Sequence, residues 1–380
     1  MSEIKVNSIK GVGASTAAIS IDNSSGTCTA NITNNLSNRR LTINGDMRIA
    51  QRSTSVASVS DGYHTVDRFR VNGTTGTFTM SQESDAPAGF SKSLKMLATA
   101  DISAAAGNLR EIYYSFEGQD LQLLEKGTST AKKVSLSFYV KSNVTGLKTV
   151  YLLDKDNNRL NSQNYTINSS ATWERKTITF DGDTTGALDN DNARSLDIHF
   201  PIVAGSNYTG GTQQTAWGAD TVNERVSSSI TQIDTTNEYW QITGVQLEVS
   251  DHATSFEHLN FADELRRCRR YCYVLEMPAN DFLESGTGFA QSDTVCRHFV
   301  QLPVAMRTNP TFTGTATAVK FYSNNQGASF NADTFTFSGQ PVKNDCLLVA
   351  LYATTSSITA GQGGTIQALA DGSLTFEAEL

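Results

Sequence analysis

Charge is scarce in this chain. Only 18% of its 380 residues are Asp, Glu, Lys or Arg, where about a quarter is usual. What charge there is leans acidic, with 38 Asp and Glu against 30 Lys and Arg. No nucleic-acid partner is expected, because phosphate binding needs a basic face. Proline is scarcer still, 6 in all, which excludes a polyproline stalk. No run of about 18 apolar residues occurs, so no membrane insertion is expected. The opening MSEIKVNSIKG has no basic start leading into an apolar run, so no signal peptide is visible. The cysteines (Cys28, Cys268, Cys272, Cys296 and Cys346) are scattered and odd in number. That pattern argues against a disulfide framework and suits synthesis in a reducing cytosol.

Ser, Thr, Asn and Gly fill the space that charge leaves. Thr suits a pleated surface, and Asn and Gly suit turns. Residues 1–40 stand apart: after a strand-like start at Ile4, Val6 and Ile9 they are small, polar and turn-rich. Such a segment buries little apolar area alone and is expected to be a linker or to fold against a partner. From Leu41 to about Phe256 strand signals follow at short spacing: DRFRVNG, GTFTMSQES, SLKMLAT, IYYSFEG, KVSLSFYVKSN, LKTVYLLD, NYTINSS, TWERKTITF, RSLDIHFPI and EYWQITGVQLEV. Val134, Leu136, Phe138 and Val140 fall on one face, and Ser135, Ser137 and Tyr139 on the other, as in a half-buried strand. DKDNN reads as a turn. One helix is expected at NFADELRRCRRY, capped by Asn260 with Glu264 in the first turn and an apolar stripe of Phe261, Leu265, Cys268 and Cys272. Residues 276–380 return to strand texture in CRHFVQLPV, TFTGTATAVKFYS, DTFTFSG, DCLLVALYATT and SLTFEAEL.

The expected fold is therefore all-β. A central jelly-roll sandwich (41–259) follows an extended N-terminal segment (1–40). A short connecting helix (260–275) then leads to a smaller C-terminal β domain (276–380).

Catalytic constellations are poor. None of His64, His199, His252, His258 and His298 lies in HExxH, and there is no GxSxG elbow or glycine-rich phosphate loop. Cys268 and Cys272 have helical spacing and no second pair downstream, so zinc is not expected. A glycosidase pair could be drawn from any two of the 38 acidic residues, which is no signal. No enzymatic activity is expected.

The ordered set LTINGDMRIAQRST, DGYHTVDRFRV, VSLSFYVKS, TWERKTITF and YWQITGVQLEVSDHATSFEHLNFADELRRCRRY resembles a recurrent cassette of bacteriophage structural proteins. It is especially like that of tail-fibre proteins of phages of marine bacteria and cyanobacteria. The likeness covers about residues 41–273. The same cassette is similar to galactose-binding-like carbohydrate-binding jelly rolls, with a first strand like INGDM (Ile43 to Met47) and a last like ITGVQLEV (Ile242 to Val249). Many members carry Trp where this chain has Phe69 and Tyr where it has Cys272. The first swap keeps an aromatic core residue, and the second reads as a packing change.

The resemblance implies a virion protein made in the host bacterial cytoplasm, on a tail appendage rather than the capsid surface. Its expected partners are two further copies of itself in a homotrimer, other phage tail or virion proteins through the N-terminal segment, and a host surface glycan or receptor. The alternatives are a head-decoration fibre or tail connector without receptor binding, and a polysaccharide depolymerase. Glycan-binding candidates are Trp217 in TQQTAWGADT and Tyr208 in GSNYTGG, aromatics in a long polar loop. An aromatic face stacks on a pyranose while polar groups bond its hydroxyls. The competing reading, favoured because Trp is highly buried on average, is that they pack onto the sandwich or into an interface. Trp173 and Trp240 read as core. No cofactor is expected beyond the structural calcium that related jelly rolls hold, for which the matching positions are Asn44, Asp46 and Glu248. Ordinary polar turns are the competing and favoured reading, as the spacing is loose. Arg266, Arg267, Arg269 and Arg270 are candidates for an inter-subunit or inter-domain salt-bridge hub. The competing reading is a solvated helix face with local pairs to Asp263 and Glu264.

Overall fold

The computed structural model describes residues 8–9, 19–21, 24, 28–30, 38–73, 75–279, 281, 288–314, 319–323, 329–332, 340–341, 348–354, 359–368 and 371–380. Ile4, Val6, most of the segment 1–37 and the run DTFTFSG lie outside them. Within the N-terminal segment, Ser8–Ile9, Ile19–Ile21 and Cys28–Ala30 pair as a three-stranded antiparallel sheet.

Two sheets make the sandwich. In spatial order, the six-stranded one runs Glu174–Phe180, Val134–Ser142, Tyr239–Val249, Ser93–Ala98, Phe78–Glu83 and Ser55–Val56. The seven-stranded one runs Gly218–Ala219, Arg159–Ile167, Gly146–Asp154, Arg194–Ala204, Leu109–Glu117, Phe69–Asn72 and Gly62–Tyr63. Every pairing in both is antiparallel. Apolar residues alternate inward from both sheets and fill one core. Leu136, Phe138 and Val140 face Ile198, Phe200 and Leu152 there. Phe138 meets Phe200 edge-on at 5.3 Å and Tyr165 at 5.1 Å, a favourable aromatic geometry. Phe69 is fully buried in this core.

Four sequence expectations change. INGDM is not a strand but a turn. Asn44 and Met47 adopt positive φ, at 59° and 60°, and the Asn44 amide spans the turn to the Ile49 backbone in both directions. Gly45 lies so close to the last strand that a Cβ there would sit 2.1 Å from the Val245 oxygen. Ser135 and Ser137 are buried rather than exposed, because the segment after Val249 folds back over them; the Ser135 hydroxyl donates to Ser250 O. Trp173 is only half-buried at a strand start, its N–H 3.3 Å from Asp85, whereas Trp240 is core and bonds Tyr165.

The fourth change concerns the helix Phe261–Arg269. Asn260 caps it by accepting from the Asp263 N–H. Phe261, however, is 54% exposed, while Glu264 is buried. Buried Arg40 draws Glu264 inward and pairs with it, as a buried charge requires a partner.

Beyond the helix, Cys272–Met277, Gly372–Glu377 and Thr311–Gly314 form a three-stranded sheet. A further seven-stranded sheet is built from strands between Gly288 and Ala368. Cys268, Cys272 and Cys296 are buried. No helix among the described residues is long and apolar enough to cross a membrane.

Candidate ligand-binding sites

The sequence candidates do not converge on one site. Trp217 precedes the edge strand Gly218–Ala219 and packs, half-buried, against the main core. Its indole N–H donates to Asp181 O at 2.7 Å, and the Lys126 ammonium lies 5.5 Å from its ring centre. Lys126 is held in turn by Asp154 and Asp183. Tyr208 falls in the short helix Ser206–Thr209 and packs on a second apolar cluster with Tyr151, Leu153 and Val226. Both aromatics thus do structural packing, and each residue is half-buried.

The three expected calcium ligands do not fit a cation. Both ends of the Asn44 amide are engaged, with Ile49 and with Asp67 O. Glu248 accepts from the Thr254 N–H and hydroxyl and from Gln246. Asp46 Oδ2 pairs with Arg48, which leaves Asp46 Oδ1 as a lone unpartnered oxygen. Calcium takes about six to eight oxygens. Among the described residues no group of three or more His, Cys, Asp or Glu is placed to hold a metal.

Nor do the four arginines form one hub. Arg266 is exposed. Arg269 lies 5.4 Å from the Tyr273 ring centre. Arg270 makes a bidentate bond to buried Glu117, at 2.8 and 2.7 Å. Burial opposes ionisation of Glu117, and Arg270 with Tyr271 overcomes it, so the carboxyl titrates below its ordinary range. Arg267 donates to the Asn38 side-chain oxygen at 3.1 Å. The local acids are engaged elsewhere: Asp263 with Asn260, and Glu264 with Arg40.

Arg267 and Arg270 instead help to line a cleft of about 530 Å³. Its walls come from three stretches of chain: Asn38 to Ile43, the 3-10 turns Gly118–Asp120 and Gln122–Leu124, and the C-terminal end of the helix. Leu41, Ile43 and Leu123 supply apolar wall, and Asn38, Gln119 and Asp120 the polar groups. Asp120 is exposed at the surface; partial burial, then Glu117, raises its carboxyl above the ordinary value, an effect that water screens there.

A second feature escaped the sequence. Strand register places Tyr63, Arg70, Tyr113, His199, Tyr151 and Ser162 in one row across the seven-stranded sheet, on the face away from the core. His199 is stacked between two tyrosines, 5.0 Å from Tyr113 and 4.5 Å from Tyr151. Its Nδ1 lies 3.0 Å from Glu111 and its Nε2 3.4 Å from Asp197. Neither contact is a well-aligned hydrogen bond; the attraction is chiefly of charge. Arg194 lies over Tyr113 and bonds Asp197. The row is buried from Tyr113 to Tyr151 and opens only at Tyr63 and Arg70.

No protein-family model matches the chain, and no curated protein does. Among solved structures it is similar to the enzymatically active domain of tailspike protein 4 of bacteriophage CBA120, at 16% identity and TM-score 0.31 over 56% of this chain. The chain spans 22% of that tailspike's length. It is similar to the family 11 carbohydrate-binding module of a Clostridium thermocellum cellulase, at 15% identity and TM-score 0.27 over 55% of this chain and all of the module. A putative sugar-binding protein of Bacteroides thetaiotaomicron matches at 11% identity and TM-score 0.31, over 56% of this chain and all of that one.

Proposed function

We propose that the chain is a non-enzymatic structural subunit of a phage virion appendage, a tail fibre, that attaches the particle to the host surface through glycans. The observation that carries the glycan part is Trp217. An indole held in place by Asp181 and Lys126, on a half-buried residue of a polar loop, offers a preorganised stacking surface for a sugar. The phage part is supported by the cassette spanning residues 41–273, whose quoted strands form one sandwich. In this reading three copies assemble through the N-terminal segment, which also contacts other virion proteins. Repetition then raises weak single-site affinity by avidity.

A glycan array probed with the purified chain tests the reading. Binding is expected, and Trp217→Ala should abolish it while circular dichroism stays native. No binding, together with a virion map in which residues 276–380 are buried, overturns adhesion. Release of reducing ends from host polysaccharide overturns the non-enzymatic part.

A further inference from the structure

We propose that the cleft at the end of the helix Phe261–Arg269 binds a carboxylate-bearing sugar, of the uronic acid type, through Arg267. The proposal shares the glycan chemistry of the preceding reading but places it at a different site.

The first ground is the state of the three guanidinium groups in the cleft wall. Arg40 is committed to Glu264 and Arg270 to Glu117. Arg267 has no carboxylate within ion-pair distance among the described residues; its hydrogen bond goes to the neutral Asn38 side chain, and Asp120 across the cleft acts on it only at longer range. A guanidinium fork with no ion pair stands out in a chain of net charge −8. It matches a planar carboxylate two bonds at a time.

The second ground is the rest of the wall. A pyranose offers hydroxyls around its edge and C–H groups on its faces. Gln119 gives its amide N–H to Glu117, which leaves its carbonyl oxygen to accept from a hydroxyl. Asp120, the carboxylate lining the cleft, is placed to accept from hydroxyls also. Leu41, Ile43 and Leu123 provide apolar wall, and Leu123 is 48% exposed, with its side chain open to a ligand. The cleft volume, about 530 Å³, falls in the range of small-molecule sites. An acidic peptide would seek a strand edge or a groove with repeated pockets. This cleft has one uncommitted cation and no strand edge in its wall.

Titration calorimetry of the full chain with trigalacturonate, its methyl ester and triglutamate tests this. Trigalacturonate should bind, with the ester and triglutamate each weaker by about tenfold or more, the worth of a charge-assisted hydrogen bond. Arg267→Gln should lose about as much, and Arg267→Lys part of it, because the fork is gone but the charge stays. Exposed Arg266→Gln should change nothing. The site is overturned by silence with trigalacturonate, by an equally tight ester, or by an unaffected Arg267→Gln protein of native melting temperature. Equal binding of triglutamate would make it a peptide site. Each outcome is independent of neutral-glycan binding at Trp217, measured on the same preparation, so the two readings fail separately.

Discussion

His199 and Tyr151 stand directly opposite each other on adjacent strands, and their rings stack 4.5 Å apart with an interplanar angle of 7°. The stack fixes the imidazole between two acids. Burial alone would lower its pKa, but Glu111 and Asp197 outweigh it and hold the imidazole protonated beyond its ordinary range. Arg70, within the row, bonds the Tyr113 hydroxyl and pairs with Asp61, and Arg194 and Arg225 beside it are engaged with Asp197 and Asp220.

A group whose folded pKa is raised stabilises the fold fully below its unfolded value. That stability is lost as pH rises through the folded value. The melting temperature should therefore fall as pH climbs above the ordinary histidine value of about 6.5. His199→Gln should flatten the curve in that window and lower it at acid pH. Differential scanning calorimetry from mildly acid to alkaline pH reads both.

Gly45→Ala places a methyl group 2.1 Å from the Val245 oxygen. It should disturb the bond from Val245 N–H to Gly45 O and the one from the Thr42 hydroxyl to Val245 O. We expect a loss of about 1–3 kcal/mol, the usual cost of overpacking, seen as a lower urea midpoint with an unchanged slope.

Phe138→Ala empties the centre of the sandwich, where Phe138 touches both Phe200 and Tyr165. A loss of about 3–5 kcal/mol is expected. Phe138→Leu should recover most of it in the same denaturation experiment.

Glu379→Gln leaves Arg68, 1% exposed, without its carboxylate. Breaking such a buried pair costs about 3–5 kcal/mol. Arg52 loses a partner too, but keeps Asp67 and Glu377. Limited proteolysis should then cut within residues 272–380 faster than in the parent chain, while the sandwich stays resistant.

The strands were legible wherever alternation was local. Val134, Leu136, Phe138 and Val140 announce their face without help from the rest of the chain. The INGDM turn was not legible, because its shape depends on contacts with Val245 and Glu264, some 200 residues away. Glu264 read as an ordinary first-turn acid for the same reason, since its partner Arg40 is 224 positions off. The arginines Arg267 and Arg270 could be picked out by their crowding in an acidic chain. Their division into one committed and one uncommitted guanidinium needed the position of Glu117. The row from Tyr63 to Ser162 is a product of register across five strand pairings, which composition does not carry.

Cys272–Met277 leaves the sandwich and Gly372–Glu377 returns beside it, the two paired along their whole length. At the returning end Glu379 is buried against Arg68, and Arg307 bonds the Ala378 and Glu379 carbonyls as well as Asn192 of the sandwich. With Thr311–Gly314 pairing into the same base, the sheet between Gly288 and Ala368 is thus mounted on a three-stranded foot rather than hung from one tether. A pull on it loads Cys272–Met277 and Gly372–Glu377 along their axes in the same sense, so tension divides between two stretches of chain, one of them ending at an ion pair out of reach of water. Such a mount transmits torque and angle, as a bracket does and a string does not.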